Sequence, residues 1–145
     1  MATWHRQFVR AKADIIFLIG RILMVLVFIQ SGISHLTQDG MVGYAQFKKI
    51  PNPALAVRLS GVLLLAGAAG IILGIWGDLA ALLSALLLLI TSITMHNFWT
   101  LEDPQAKQVD QIMFMKNIAM IGGLLVLAWA MAGTEAPLTI TNGVF

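Results

Sequence analysis

The residues that could do chemistry in this chain are few, and nearly all of them interrupt or border long apolar stretches. Gln30, Ser31, Ser34 and His35 come first, then Arg58, then Ser92, His96 and Asn97, and last Lys116 and Asn117. A polar group placed in hydrocarbon is costly, so such residues turn inward and mark sites more often than surface residues do. Imidazole passes protons near neutral pH, Arg and Lys donate to anionic groups, and Asn both donates and accepts. His35, Arg58, His96, Asn97, Lys116 and Asn117 are therefore the candidate lining of a pocket. Donors of this kind suit the carbonyl oxygen of a quinone or the headgroup of a lipid, with apolar helix surface left for a tail.

Plainer roles compete for some of these residues. Arg58 and Lys116 lie roughly 6 Å inside their apolar stretches at helical rise, a depth from which long side chains reach the headgroups. Arg21 lies deeper, and Asp78 is its candidate ion-pair partner. His35 and His96 come from two different stretches and could in principle hold a haem or a metal, but a hydrogen-bonded histidine near a helix end is the commoner case. Glu102, Asp103 and Asp110 read as the solvated cap of a helix. No metal site is expected, and haem is not the favoured reading. The chain has no cysteine, so thiol redox chemistry and thiolate ligation are excluded for it alone.

The elements that must position these residues follow from composition. Of 145 residues, 59% are hydrophobic and 11% charged, against roughly 45–50% and about 25% in soluble domains. Four stretches, 15–36, 54–76, 79–99 and 112–132, are long enough to cross a bilayer as helices. No stretch alternates with period two, and backbone groups in lipid must be satisfied within the segment, so strands are excluded. The expected fold is all-α: an integral membrane, antiparallel four-helix bundle. A short interfacial helix through Tyr44 and Phe47 is expected in the first loop. Segment 1–14 reads as a basic interfacial lead-in, with Trp4, Phe8, Ala11 and Ile15 at helical spacing beside Arg6, Arg10 and Lys12. Residues 133–145 read as a short tail. Gly77 and Asp78 form a tight turn, and Asp103 followed by Pro104 reads as an N-cap with proline at the first helical position, so the last helix can begin there.

Small residues at Gly67, Gly70, Gly74, Ala119 and Gly123 mark seams where helices approach closely. Threading up and down places the C-terminal ends of the first and third spans beside the N-terminal ends of the second and fourth. Nearly all the polar residues gather in that half, leaving the other half close to pure hydrocarbon. Helical phase puts Gln30 almost opposite Arg21 on the first span. Gln30 must therefore meet a second protein surface, which implies a homo-oligomer or partner subunit, or bond back to its own helix. Basic residues do not orient the chain: Arg6, Arg10 and Lys12 on one side balance Lys48, Lys49 and Lys107 on the other. Nothing resembles a nucleic-acid surface, since the basic residues form no patch interleaved with aromatics.

The run from Arg21-Ile22-Leu23 to Phe28-Ile29-Gln30-Ser31-Gly32-Ile33-Ser34-His35-Leu36 resembles the first helix of DoxX-like membrane proteins. Tyr44-Ala45 with Ile50-Pro51-Asn52-Pro53 resembles their first loop. Met95-His96-Asn97-Phe98-Trp99 with Asp103-Pro104, then Phe114-Met115-Lys116-Asn117-Ile118-Ala119-Met120, resembles their third and fourth helices. Asn97 stands where many relatives have Asp, and His35 where Lys is frequent. The resemblance implies a bacterial or archaeal inner-membrane protein with both termini cytoplasmic. It also implies association with membrane redox systems, quinone-linked or oxidative-stress, or a role in assembling other membrane proteins. The leading expectation is a small membrane subunit or accessory of a redox system, with lipid around it and an oxidoreductase partner. A non-enzymatic scaffold, assembly factor or chaperone is the alternative, and an oligomeric transporter of small solutes the third.

Overall fold

The computed structural model describes the backbone of residues 2–133 and 136–145. Helix α1 runs Ala2–Thr37, α2 Asp39–Phe47, α3 Pro53–Leu73, α4 Gly77–Met95 and α5 Pro104–Met131, with a 3-10 turn at Phe98–Thr100 between the last two. Among the described residues, α1, α3, α4 and α5 are the helices long and apolar enough to cross a membrane. The chain is thus the expected four-helix membrane bundle, with α2 as the short helix of the first loop. The lead-in and the first span form one continuous helix. The side chains of Trp4, Arg6 and Phe8, part of the expected lead-in, lie outside the described residues.

Local chemistry sets the helix ends. Pro53 opens α3, and Pro104 opens α5 while the Asp103 carboxylate accepts from the Ala106 amide at 2.7 Å. Both prolines sit where a missing N–H costs nothing. At the other end of α3, Gly74 takes a left-handed conformation (φ +63°) and Trp76 follows at φ +45°, so the chain reverses before α4. The turn is therefore built at 74–76, and Gly77 and Asp78 already belong to α4.

α3 packs against α1 on one side and α4 on the other, and α5 completes the bundle against α4 while barely touching α1. Val25, Phe28, Leu64, Ile71, Ala81 and Leu124 are buried at its centre, and the outward faces are leucine and isoleucine. Gly67 faces Ser84 of α4, and a Cβ on Gly70 would stand 2.8 Å from that of Ala80. The glycine seam is therefore consumed inside the chain, holding α3 close to α4. Gly123 faces Met24 of α1, and Gly74 faces Thr139. Ala119 takes no part in packing. It is exposed, because Asn117 and Leu124 set the inward face of α5 and position 119 falls on the far side. A further close approach joins α1 to α3, where a Cβ on either Gly32 or Gly61 would stand 3.0 Å from the other's carbonyl oxygen.

The C-terminal tail is structural. Ile140 and Thr141 donate their amides to the Leu73 and Gly74 carbonyls, both at 3.0 Å. The expected Arg21–Asp78 ion pair does not form. Arg21, fully buried, donates instead to the Ile71 carbonyl at 2.9 Å, to that of Ile72, and to the Pro137 and Leu138 carbonyls at 3.0 Å. The last carbonyls of α3 have no partner within the helix and carry the negative end of its dipole, so they compete well for a guanidinium. Asp78, also fully buried, accepts from the Val144 amide at 2.6 Å and the Phe145 amide at 3.0 Å. The returning tail supplies two of the four carbonyls on Arg21 and both amides on Asp78 Oδ2, while Asp78 Oδ1 has no partner among the described residues.

Candidate functional site

The polar half of the bundle carries two linked groups of side chains. The first centres on Asp110, in the second turn of α5 and 5% exposed. Its Oδ2 accepts from Lys48 Nζ at 2.6 Å, and its Oδ1 from the Tyr44 hydroxyl at 2.9 Å and His96 Nδ1 at 3.3 Å. Lys48 also donates to Asn97 Oδ1 at 2.7 Å. The short helix α2 makes this possible. Tyr44 and Lys48 are four residues apart, one helical turn, and so face the same way. Lys48 closes α2 as its C-cap, and its ammonium extends inward over the Tyr44 ring, 5.5 Å from the centroid. Tyr44 lies outside the spans. Burial, and then the hydrogen bond and charge of Asp110, push its phenol well above the ordinary tyrosine value.

The second group surrounds a cavity of about 100 Å3 between α1, α3, α4 and α5. His35, His96, Asn117, Ser31, Ser60 and Thr91 supply its polar lining, and Phe28, Leu64 and Leu88 are among its apolar walls. The Ser60 hydroxyl donates to the Val57 carbonyl at 2.8 Å, so at 2.9 Å from His35 Nδ1 it must accept. His35 therefore carries its proton on Nδ1, which leaves Nε2 as an unpaired acceptor. His96 joins the two groups, with Nδ1 on Asp110 and its ring against the cavity. Asn117 is 5% exposed, lines the cavity and has no hydrogen-bond partner among the described residues. Its amide is open to the cavity, and a water or small polar solute there would pair it.

Of the residues expected to line one pocket, His35, His96 and Asn117 do so. Asn97 lies next door, held by Lys48. Arg58 braces the site from outside: it donates to the His35 carbonyl and to Asp39, both at 2.9 Å. Lys116 is a correction. It is exposed, with Nζ 3.5 Å from the Met113 sulfur, because one residue's rotation from the inward-facing Asn117 turns it away from the cavity. Asp110 is the larger correction. Read from sequence it belongs to a solvated cap and Lys48 to a charged flank, yet they form the most buried ion pair in the described residues. Helical phase holds the signal for Asp110: it precedes Asn117 by seven residues and so shares its face.

The cavity also tests the fit of a quinone. Ligand pockets begin at roughly 300 Å3, well above the 100 Å3 present. The larger groove, about 560 Å3, lies between α3 and α4 near the opposite face. Its walls are leucine, alanine, glycine and isoleucine apart from Trp76 and Ser84, whose indole N–H and hydroxyl are the side-chain donors it holds. The histidine-lined cavity is too small for a quinone ring and its tail. The polar cavity is sized for several waters or a solute of a few heavy atoms.

The sequence profile of the DoxX family matches residues 16–97, which span α1 to α4 and include Tyr44, Lys48, His35 and His96 but not Asp110 or Asn117. The inner membrane protein YqjF of Escherichia coli (strain K12) is 32% identical over 116 residues, covering 79% of this chain and 83% of that protein. No solved structure matches the chain.

Proposed function

This chain belongs to the DoxX family, and on that premise we propose that it is an inner-membrane accessory subunit of a redox system whose own contribution is a protonatable polar centre. The observation that carries this reading is the cavity flanked by two histidines and lined by the unpaired amide of Asn117. His96 takes its orientation from Asp110, which Lys48 and Tyr44 hold in turn. His35 offers an unpaired Nε2 to the same space. Water or a small polar solute in the cavity would bond to Asn117 and both rings, and protons would pass between the histidines through it. The family's usual orientation, with both termini cytoplasmic, would put this centre toward the outer face, where a membrane oxidoreductase releases or takes up protons.

The test is complementation. A strain lacking the gene is supplied with wild type, H96Q, H35L or N117L, and each variant is confirmed at wild-type abundance in the membrane. Growth is then measured under a redox-cycling agent. Loss of protection in the cavity variants, with protection kept in K116L, supports the reading. Full protection by all three cavity variants would sink it and favour a scaffold. Bulky residues at Gly67 or Gly70 cannot serve as that scaffold's test, because both glycines pack inside the chain.

A further inference from the structure

α1 has an outer face that nothing among the described residues covers. Ile16, Ile19, Leu23, Leu26, Gln30 and Ile33 follow one another at steps of three and four residues, and the five apolar ones are all about half exposed or more. Such steps repeat every seven residues, the period of a helix seam that winds left-handedly around a partner. Lipid-facing helices are apolar everywhere, so the seam alone decides nothing. Gln30 decides. It lies seven residues before the end of α1 at Thr37, about 10 Å along the axis from that end, inside the apolar span Val9–Thr37.

Threonines on the spans solve this problem locally. Thr37 returns its hydroxyl proton to the Ile33 carbonyl at 2.8 Å, Thr91 to Leu87 at 2.7 Å and Thr94 to Ile90 at 2.8 Å. Gln30 makes no such bond and is exposed, with its amide unpaired. Gln30 is thus not bonded back to its own helix, and a second protein surface would pair it.

We propose that this surface is a second copy of the chain, docked in parallel through the α1 seam, with Gln30 paired to Gln30 across a two-fold axis along the membrane normal. Two copies inserted in the same direction hold Gln30 at the same depth. A carboxamide is both donor and acceptor and is complementary to itself, which a Lys or Asp at this position would not be. A single polar residue within an apolar seven-residue repeat also sets the register of the two helices. Interhelical amide bonds in membranes hold such pairs at modest strength.

The chain lacks cysteine, which makes the test clean. Single-cysteine variants L26C and I33C on the seam, with L59C and V62C on the outward face of α3 as controls, are oxidised in native membranes. Disulfide-linked dimers are expected from the two seam positions and not from the controls. The dimer dissociation constant, measured by energy transfer between labelled copies in vesicles, should rise about threefold to tenfold in Q30L and return toward wild type in Q30N. Gln30 faces outward, so Q30L folds as wild type does. Dimers from the control positions, equal dimerisation of Q30L, or a chain that stays monomeric at every protein-to-lipid ratio would each overturn the proposal. So would cross-linking of the seam to a different protein in place of a second copy.

Discussion

Replacing Asp110 with Asn is the sharpest probe of the polar end. The carboxylate is 5% exposed and the Lys48 side chain 3% exposed, and their charges meet at 2.6 Å. Asn at 110 still offers an oxygen to Tyr44 but leaves the Lys48 ammonium buried, with Asn97 Oδ1 at 2.7 Å as its remaining partner. Removing one member of a buried pair costs about 3–5 kcal/mol. Because α2 lies at the rim of the bundle and can shift Lys48 toward water, the lower end, about 3 kcal/mol, is expected here. K48M removes the stranded charge, so K48M/D110N should be more stable than D110N, and the cycle should show a coupling of about 2 kcal/mol. The assay is reversible unfolding in mixed micelles with increasing SDS, followed by tryptophan fluorescence. If the two single changes add within about 0.5 kcal/mol, the pair is not the linchpin of this network and the reasoning fails.

Four further outcomes follow from other contacts. Tyr44 is the chain's single tyrosine, so the phenolate absorbance near 295 nm reports on it alone. Its raised pKa means that folding favours the neutral phenol: this stabilisation is complete below the ordinary value of about 10 and is lost as pH rises above it. Folded protein should therefore resist ionisation at a pH where SDS-denatured protein has ionised, and coincident curves would refute the burial of Tyr44. Arg21→Lys replaces a fork serving four carbonyls with a point donor and should cost about 3 kcal/mol in the same unfolding assay. Deleting Val144 and Phe145 leaves buried Asp78 without its tail amides; a loss of about 1–3 kcal/mol is expected, with faster amide exchange in the first turn of α4. Gly67→Leu drives a side chain into Ser84 and should destabilise by about 1–3 kcal/mol, whereas Gly20→Leu, with open space around Gly20, should be neutral.

The four membrane helices were legible in the sequence because crossing a bilayer is a local requirement. About 20 apolar residues suffice wherever they occur, and proline, glycine and an N-capping Asp mark the ends without reference to the rest of the fold. The clustering of polar residues in one half followed from threading direction alone, and it brought His35, His96 and Asn117 to the same end of the bundle, where they line one cavity. Helix phase could have turned Lys116 and Ala119 outward and Asp110 inward, since each is a rotation about one axis. What only the tertiary structure decided are the partners. Lys48 meets Asp110 across 62 residues of sequence, Arg21 meets the tail across 116, and Asp78 meets it across 66. Coulomb attraction and hydrogen bonding act over a few ångströms and carry no memory of sequence distance. Arg21 and Asp78 therefore took the nearest free backbone groups rather than each other, and a lysine and an aspartate that read as surface charges became the buried pair.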